Sequence, residues 1–292
     1  MASQQDIKRR IRSVRNTRKI TKALELVSAS KLRRAQMRIE ALRPYADRMH
    51  ELEIEAAGRA NVHGEPLLAR RETKVSALCV LTGDRGLAGA FNAQVLRAAI
   101  SDGRNERAAG HETRWLAVGK RGIGSLRFRG LELLHSWQGF TDRPSYGDAA
   151  AIAEALCALF RDGTVDRIAL VYNHFESALS QRVIVEELLP IPEGRLADLS
   201  PRDRALEGIV IFEPDAEDIL GGLLQTSIEI AVYRALLEST ASEHGARMTA
   251  MGNASKNANE LIDGLTLAMN RARQAEITQE ILEVVAGADA LQ

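Results

Sequence analysis

Proline is absent from both ends of the chain, and this absence most constrains what can form there. No proline precedes Pro44 and none follows Pro214. Because proline is the strongest helix breaker, both ends are free to form long helices. We predict one helix over residues 3–57 and another over residues 216–287, about 80 and 108 Å long at roughly 1.5 Å per residue.

Both end segments carry a seven-residue repeat, which is the pattern of a left-handed coiled coil. In the carboxyl segment it runs through Met248, Met251, Ser255, Ala258, Ile262, Leu265, Met269 and Ala272. In the amino segment it joins Leu32, Ala35, Ile39, Leu42, Ala46 and Met49. Upstream it joins Ile7, Ile11 and Val14 and then, after a slip of register, Ile20, Leu24 and Val27. We predict that the two helices pair antiparallel. Their repeat is poor in large residues, so we expect other chains to complete their surface.

The middle of the chain is different, because its apolar runs are short and rich in β-branched residues, as in strands. These runs are residues 75–82, 114–119, 166–173, 182–190 and 208–213. Helical stretches at residues 91–101 and 147–161 lie between the early runs and predict a mixed or largely parallel sheet with helices on its faces.

The predicted fold class is therefore α/β. It consists of a long antiparallel two-helix coiled coil, formed by the N- and C-terminal helices, with a central Rossmann-like α/β domain. The predicted boundaries are residues 1–58 for the first helix, 59–214 for the central domain and 215–292 for the second helix.

The stretch TGDRGLAGAFN, which begins at Thr82, has the strand–turn–helix context of a phosphate-binding loop. Its glycines are spaced GxxGxxG, whereas the dinucleotide fingerprint needs GxGxxG and the P-loop needs GxxxxGK[ST]. We interpret it as a tight turn, with Asp84 as a turn cap, and residues 118–130 as another glycine-rich turn. The two cysteines form no CxxC pair, and no cofactor or metal is predicted. A nucleotide-dependent α/β enzyme with helical arms stays an alternative.

Charge is distributed unevenly although the formal net charge is zero. Residues 1–38 hold twelve Lys and Arg against Asp6 and Glu25, a net of +10. Such asymmetry points to an acidic partner. From charge alone, three interpretations stay open: a solvated helix face, an acidic protein partner, or a coiled-coil nucleic-acid-binding protein.

Residues 7–36 and 246–291 closely resemble the two ends of the gamma subunit of F-type ATP synthase. Intermediate stretches are also similar to that family: TGDRGLAGAFN, VGKRG, SALSQ, EELLPIP and FEPD. The resemblance implies a non-catalytic central rotor shaft that transmits rotation of the membrane c-ring to the catalytic beta subunits. ATP synthesis there is coupled to proton transport. The implied partners are three alpha and three beta subunits, the epsilon subunit and the c-ring, with one copy of this chain per complex and no nucleic acid.

The resemblance also assigns residues. Matches to the positions that catch or couple to the beta subunit are Arg273, Gln274, Thr278, Glu280, Arg247 and Leu24. A basic collar facing acidic segments of beta comprises Lys8, Arg9, Arg10, Arg12, Lys19, Lys22, Lys31, Arg33 and Arg34. A contact with epsilon or the c-ring is expected at Val210, Ile211 and Phe212.

Regulation and location follow from the same resemblance. The segment with a cysteine pair found in the chloroplast type is absent, so we predict no thiol regulation. With Met1 directly before the motif, a bacterial origin is favoured. The chain is then expected to be peripheral on the cytoplasmic face of the plasma (inner) membrane.

Overall fold

The computed structural model describes residues 4–57, 65–178, 180–192 and 216–289. Its α-helices are α1 (Gln4–Ala57), α2 (Phe91–Ala108), α3 (Lys120–Phe128), α4 (Tyr146–Arg161) and α5 (Ala216–Asp289), and a short 3-10 helix spans Pro66–Leu68. Its strands are β1 (Val75–Leu81), β2 (Glu112–Val118), β3 (Leu133–Trp137), β4 (Arg167–Phe175) and β5 (Gln181–Leu189). Both long terminal helices are therefore confirmed. In the described ranges no helix has the length and apolar character needed to cross a membrane.

Contacts divide the chain into two compact units. The first combines the residues before Ser30 with those after Ala246, and the second is Ser30–Ala246. Both cuts fall inside long helices, α1 and α5, so each helix contributes to both units. The three-part division by sequence, with boundaries after residues 58 and 214, stays a prediction.

In the first unit, α1 and α5 pair antiparallel, as predicted. Three contacts show the direction, because residues with higher numbers on α1 contact residues with lower numbers on α5. Arg18 Nη1 donates to Asn259 Oδ1 at 2.6 Å, and the hydroxyls of Thr21 and Ser255 lie 2.7 Å apart. An apolar cluster of buried isoleucines continues the pairing towards the start of α1: Ile7, Ile11 and Ile262.

The register slip predicted in α1 is wrong. Thr21 and Ser28 are buried, at 8% and 2% exposure, whereas Ile20 and Val27 are 60% and 50% exposed. The buried stripe thus continues from Val14 in steps of seven and needs no slip. Buried hydroxyls are tolerated when they are hydrogen-bonded, and Ser28 donates to a backbone carbonyl one turn earlier at 2.7 Å. A search for apolar residues alone missed this polar core.

The second unit is built on a sheet whose described strands follow the order β3-β2-β1-β4-β5. The β1–β2, β1–β4 and β2–β3 pairs are parallel, and β5 runs antiparallel to β4. Helices α2 and α3 cover one face through a core that includes Leu78 and Leu126. Helix α4 and the first part of α5 cover the other face through a core that includes Phe160 and Ile228. This arrangement confirms the predicted Rossmann-like α/β class.

Strand β3 and helix α3 of this unit were not predicted from the sequence. Strand β3 is a short edge strand whose interior holds His135 and Ser136, so it lacks a β-branched run. The stretch interpreted as a second glycine-rich turn contains helix α3. Its Gly122 is needed for packing, because a Cβ there would lie 2.6 Å from the Thr82 hydroxyl. The run at residues 208–213, predicted as a strand, lies outside the described residues.

Both cysteines should be unreactive towards thiol reagents in the folded protein. Cys79 on β1 and Cys157 on α4 are completely buried. Burial raises the pKa of the Cys79 thiol to about 12 and that of Cys157 to about 11, so almost no reactive thiolate forms near neutral pH. We expect no labelling by a thiol reagent in the native chain and two labelled thiols after denaturation. Rapid native labelling of either cysteine would contradict this expectation.

Candidate functional site

The glycine-rich loop after β1 is held by the carboxylate of Asp84. Oδ1 accepts a hydrogen bond at 2.9 Å from the backbone amide of Lys120, the first residue of α3. Oδ2 accepts bonds from the amide of Gly139 at 2.8 Å and from the amide and hydroxyl of Thr141 at 3.1 and 2.9 Å. The carboxylate therefore joins the loop to the amino end of α3 and to residues 139–141, whereas its interpretation as a cap of its own turn stays a prediction.

The first backbone amides of this loop, which a phosphate would need, are also engaged within the chain. Its amides at Gly83 and Asp84 already donate to Asn92 Oδ1 at 2.9 Å and to the Thr141 hydroxyl at 2.8 Å. The amino terminus of a helix is a natural anion site, but at α3 this chain's own carboxylate fills it. The loop that suggested a nucleotide-binding enzyme is thus a structural corner.

The residues predicted to catch the beta subunit lie together towards the carboxyl end of α5. Arg273, Gln274, Thr278 and Glu280 are all exposed. The Thr278 hydroxyl donates to the Gln274 carbonyl at 2.9 Å, an ordinary intrahelical bond. Within the described ranges, the side chains of Arg273 and Gln274 have no hydrogen-bond partner. Their polar ends are therefore available to another molecule.

The other two predicted coupling residues lie elsewhere. Arg247 is 7% exposed, about seven helical turns or roughly 39 Å before Arg273 on α5. Leu24 is half-buried on α1, where the neighbouring Glu25 approaches within 3.6 Å of a Cβ built at Gly252. The six predicted residues therefore form two separate groups, one exposed and one largely enclosed by this chain.

The basic collar occupies one helix. All nine residues lie on α1, and all are exposed except the half-buried Lys31. Within the part of the chain that the structure describes, Lys22 pairs with Glu25 at 2.9 Å, and Lys31 pairs with Asp142. The collar spans roughly 39 Å of helix from Lys8 to Arg34.

Each unit contains a groove beside the basic side chains of α1. In the first unit a groove of about 400 Å³ runs beside Met269 and is lined by Lys8, Arg12, Arg15, Arg18 and Lys19. In the second unit a groove of about 460 Å³ has an apolar floor that includes Ala35 and Leu237, with the basic side chains Lys31, Arg34, Arg38 and Arg143 around it. Both grooves are therefore suited to anionic groups.

Among the described residues that line the second groove, Asp142 is the acidic one, and its negative charge is balanced by its ion pair with Lys31. Burial alone would raise the pKa of this carboxyl group. The hydrogen bond and charge of Lys31, with the charges of His244 and Arg85, outweigh that effect and hold the pKa below its ordinary value. Asp142 therefore stays ionised at neutral pH, and the groove keeps an excess of positive charge.

Exposed apolar residues on the paired helices were not predicted as functional. In the part of α1 that belongs to the first unit they are Ile20, Leu26 and Val27. Near the carboxyl end of α5 they are Ile277, Ile281, Leu282, Val284 and Val285, between 47% and 72% exposed. For the residues on α5 the available signal was their failure to fit the seven-residue repeat, whereas Ile20 and Val27 lie on the repeat that the sequence predicts.

The whole chain matches known proteins. A family model described as ATP synthase matches residues 3–291. The chain is 46% identical to the ATP synthase gamma chain of Rubrobacter xylanophilus over all of this chain and 99% of the relative. It is 45% identical to that of Moorella thermoacetica over the full length of both. The chain belongs to the ATP synthase gamma-chain family.

Solved structures agree with this membership. A chain from the central stalk and c-ring of the Tetrahymena thermophila mitochondrial ATP synthase is 30% identical, with a TM-score of 0.61, over 81% of this chain and 99% of that one. A chain from the Euglena gracilis mitochondrial ATP synthase, 19% identical, shares the fold with a TM-score of 0.68 over 99% of this chain and 94% of that one.

Family membership defines the role. The chain is a non-catalytic, peripheral subunit of the membrane-bound ATP synthase. It acts in the rotary stalk of this complex, which couples ATP synthesis to hydrogen-ion transport. Its partners are other subunits of that complex. The catch and collar assignments stay predictions, and the predicted contact at Val210, Ile211 and Phe212 lies outside the described residues.

Proposed function

We propose that the helix pair of α1 and α5 turns inside a ring of three alpha and three beta subunits. One copy of the chain serves each complex, and rotation of the c-ring drives it. The shaft then presents different faces to the three catalytic beta subunits in turn. ATP chemistry stays on beta.

The observation that carries this proposal is the apolar surface at the end of α5. Beyond Ala272, which packs beside the isoleucine cluster, the described residues as far as Ala286 are all exposed. A contiguous exposed apolar surface marks an interaction site. Ile277, Ile281 and Val285 follow one another at helical spacing, so they lie on one side of the helix. A surrounding protein sleeve would shield this side without polar bonds that resist rotation.

Arg273 and Gln274 are proposed to catch a loop of beta. Both side chains stand just before the apolar end and have donors to offer. An arginine makes charge-assisted hydrogen bonds to carboxylates, and these are stronger than neutral ones. Thr278 and Glu280 follow within two helical turns, so they can support the same contact. Leu24 and Arg247 would contact beta at a second position along the shaft, because Arg247 lies roughly 39 Å before Arg273 on α5.

The basic collar is proposed to face acidic segments of beta. Its side chains line both grooves described above, and most of them are exposed. One exposed ion pair is worth only about 0–1 kcal/mol, so each contact can break as the shaft turns. Many such pairs can guide rotation without trapping it at one angle.

The remaining contacts complete the stalk. We propose that the central α/β domain meets the epsilon subunit and the c-ring, with Val210, Ile211 and Phe212 among the contact residues. The similarity to the Rubrobacter and Moorella chains supports a bacterial complex, with this chain on the cytoplasmic face of the plasma membrane.

Assembly tests the proposal directly. Coexpressed with alpha and beta subunits, the wild-type chain should copurify with them in a complex that hydrolyses ATP. Ile281→Asp places a charge on the apolar side and should lower recovery of the complex about tenfold, as expected for a central interface residue. Gln279→Asp adds the same charge about 200° around the helix and should have little effect. Failure of the wild-type chain to copurify, or equal loss in both variants, would refute this arrangement.

The isolated chain separates the stalk function from the two alternatives. Titration calorimetry with ATP should show no saturable micromolar binding, and the chain should not hydrolyse ATP. Salt-sensitive DNA binding should disappear once alpha and beta subunits are saturating. Saturable nucleotide binding would restore the enzyme alternative, and DNA binding that survives the subunits would favour the nucleic-acid alternative.

A further inference from the structure

In the second unit, α5 rests on the sheet through an apolar stripe. Leu224, Ile228 and Val232 are nearly fully buried and step by four residues along the helix. Apolar contact of this kind holds the helix down but is non-directional. It offers little resistance to a helix that rolls about its own axis.

Polar contacts fasten one side of the stripe to α4. Arg161 Nη2 donates to Gln225 Oε1 at 3.0 Å, and the Tyr146 hydroxyl donates to Glu229 Oε2 at 2.7 Å. Gln225 and Glu229 are four residues apart, so they project from the same side of α5.

A second set fastens the other side to the β4–β5 hairpin. Oε1 of Glu186 on β5 accepts a hydrogen bond from the Arg234 guanidinium. Its other oxygen, Oε2, accepts one from the Tyr172 hydroxyl at 2.6 Å. One turn further along α5, Glu238 Oε2 lies 2.6 Å from Nδ1 of His174 on β4. Arg234 and Glu238 thus hold neighbouring strands of the hairpin.

The two sets oppose each other around the helix. Gln225 and Arg234 are nine residues apart, which is two and a half turns, so they point in directions about 180° apart. Hydrogen bonds weaken steeply when their angles change. A roll of α5 in either direction would therefore break bonds on one side or the other.

We propose that Glu186 and Arg234 form a torque-bearing tie that stops α5 from rolling on the sheet when the stalk turns under load. This inference rests on the proposed rotor function. Glu186 is the central residue because both its oxygens are engaged and because β5 is an edge strand, paired only with β4 among the described strands. Along the chain, β5 also precedes the segment proposed to meet the c-ring.

Load distinguishes this role from simple structural support. Unloaded ATP hydrolysis by a complex detached from the membrane needs no torque to pass through the β4–β5 hairpin. Proton-driven ATP synthesis requires that torque. A weakened tie should therefore reduce synthesis and spare unloaded hydrolysis, whereas general destabilisation of the chain would reduce both.

The test uses ATP synthase assembled with this chain and reconstituted in vesicles. Glu186→Gln and Arg234→Gln should each lower proton-driven synthesis about threefold to tenfold, the scale of one partly exposed charge-assisted hydrogen bond. Unloaded hydrolysis should be unchanged. The double variant should lose no more than the worse single variant, because both remove the same contact. Arg182→Gln is the matched control, since it breaks an exposed pair with Glu176 at 3.6 Å on the same hairpin and should change neither rate.

Three results would overturn the tie: normal synthesis in both single variants, a parallel fall in synthesis and unloaded hydrolysis, or additive losses in the double variant. A failure of the rotor function itself would appear differently. In that case the complex with the wild-type chain would not synthesise ATP, before any variant is compared.

Discussion

Gly119→Ala should lower the free energy of unfolding of the α/β unit by about 3–5 kcal/mol, among the largest losses for a single methyl group. Gly119 joins β2 to α3 with φ 93° and ψ 137°, a conformation that side chains disfavour. A Cβ at this position would also lie 2.1 Å from the backbone oxygen of Thr82. Because that oxygen belongs to the backbone, no rotation of a side chain can relieve the clash.

Urea denaturation followed by circular dichroism measures this loss, and Gly130→Ala is its matched control. Gly130 also has a positive φ of 72°, but a Cβ there meets nothing within 4 Å. The control carries the backbone strain without the clash and should cost about 1–2 kcal/mol. Equal losses in the two variants would show that close packing against Thr82 is not what requires the glycine.

Arg273→Glu and Gln274→Leu should each reduce coupled ATP turnover of the assembled complex about tenfold, as expected when one interfacial charged or polar anchor is lost. The glutamate reverses a charge that we propose meets a loop of beta, and the leucine removes an amide without much change in size. Both side chains are exposed and have no partner among the described residues. The thermal midpoint of the isolated subunit should therefore stay the same.

Arg271→Glu is the matched control for the catch. It makes the same charge reversal two residues earlier, about 160–200° around the helix from Arg273. Turnover should change little in this control if a specific contact is lost at Arg273. Unchanged turnover in both catch variants would remove the assignment, and an equal loss in the control would show that only net charge matters.

Much of the fold was predictable because its signals are local. The absence of proline after Pro214 and the seven-residue repeat predicted α5 within two residues of its ends. The β-branched runs predicted β1, β2, β4 and β5. Failures occurred where a residue served a distant neighbour. Gly122 resembled a turn residue, but it lies inside helix α3. The residue at this helical position is a glycine because Thr82 leaves no room for a side chain.

The candidate site was predictable only in part. The resemblance to a family located Arg273 and Gln274, and the structure adds that their side chains are exposed. The sequence did not indicate that Ile20 and Val27 face outward, because the pairing of Thr21 with Ser255 joins residues more than two hundred positions apart. Hydrophobicity alone ranks isoleucine above threonine for burial. A hydrogen bond across the helix pair reverses that order.

For the loop at Thr82, the sequence by itself determined that it matches neither the dinucleotide fingerprint nor the P-loop, since the spacing of its glycines can be counted. Only the tertiary structure decided what the loop is. Asp84 reaches donors at Lys120, Gly139 and Thr141, and these converge only once the parallel strands place their carboxyl ends side by side. Local propensity and periodicity depend on neighbouring residues in the sequence. They therefore determine the helices and strands and the general way in which these pair. Which polar groups satisfy one another depends on distances that exist only after the sheet and its helices have packed.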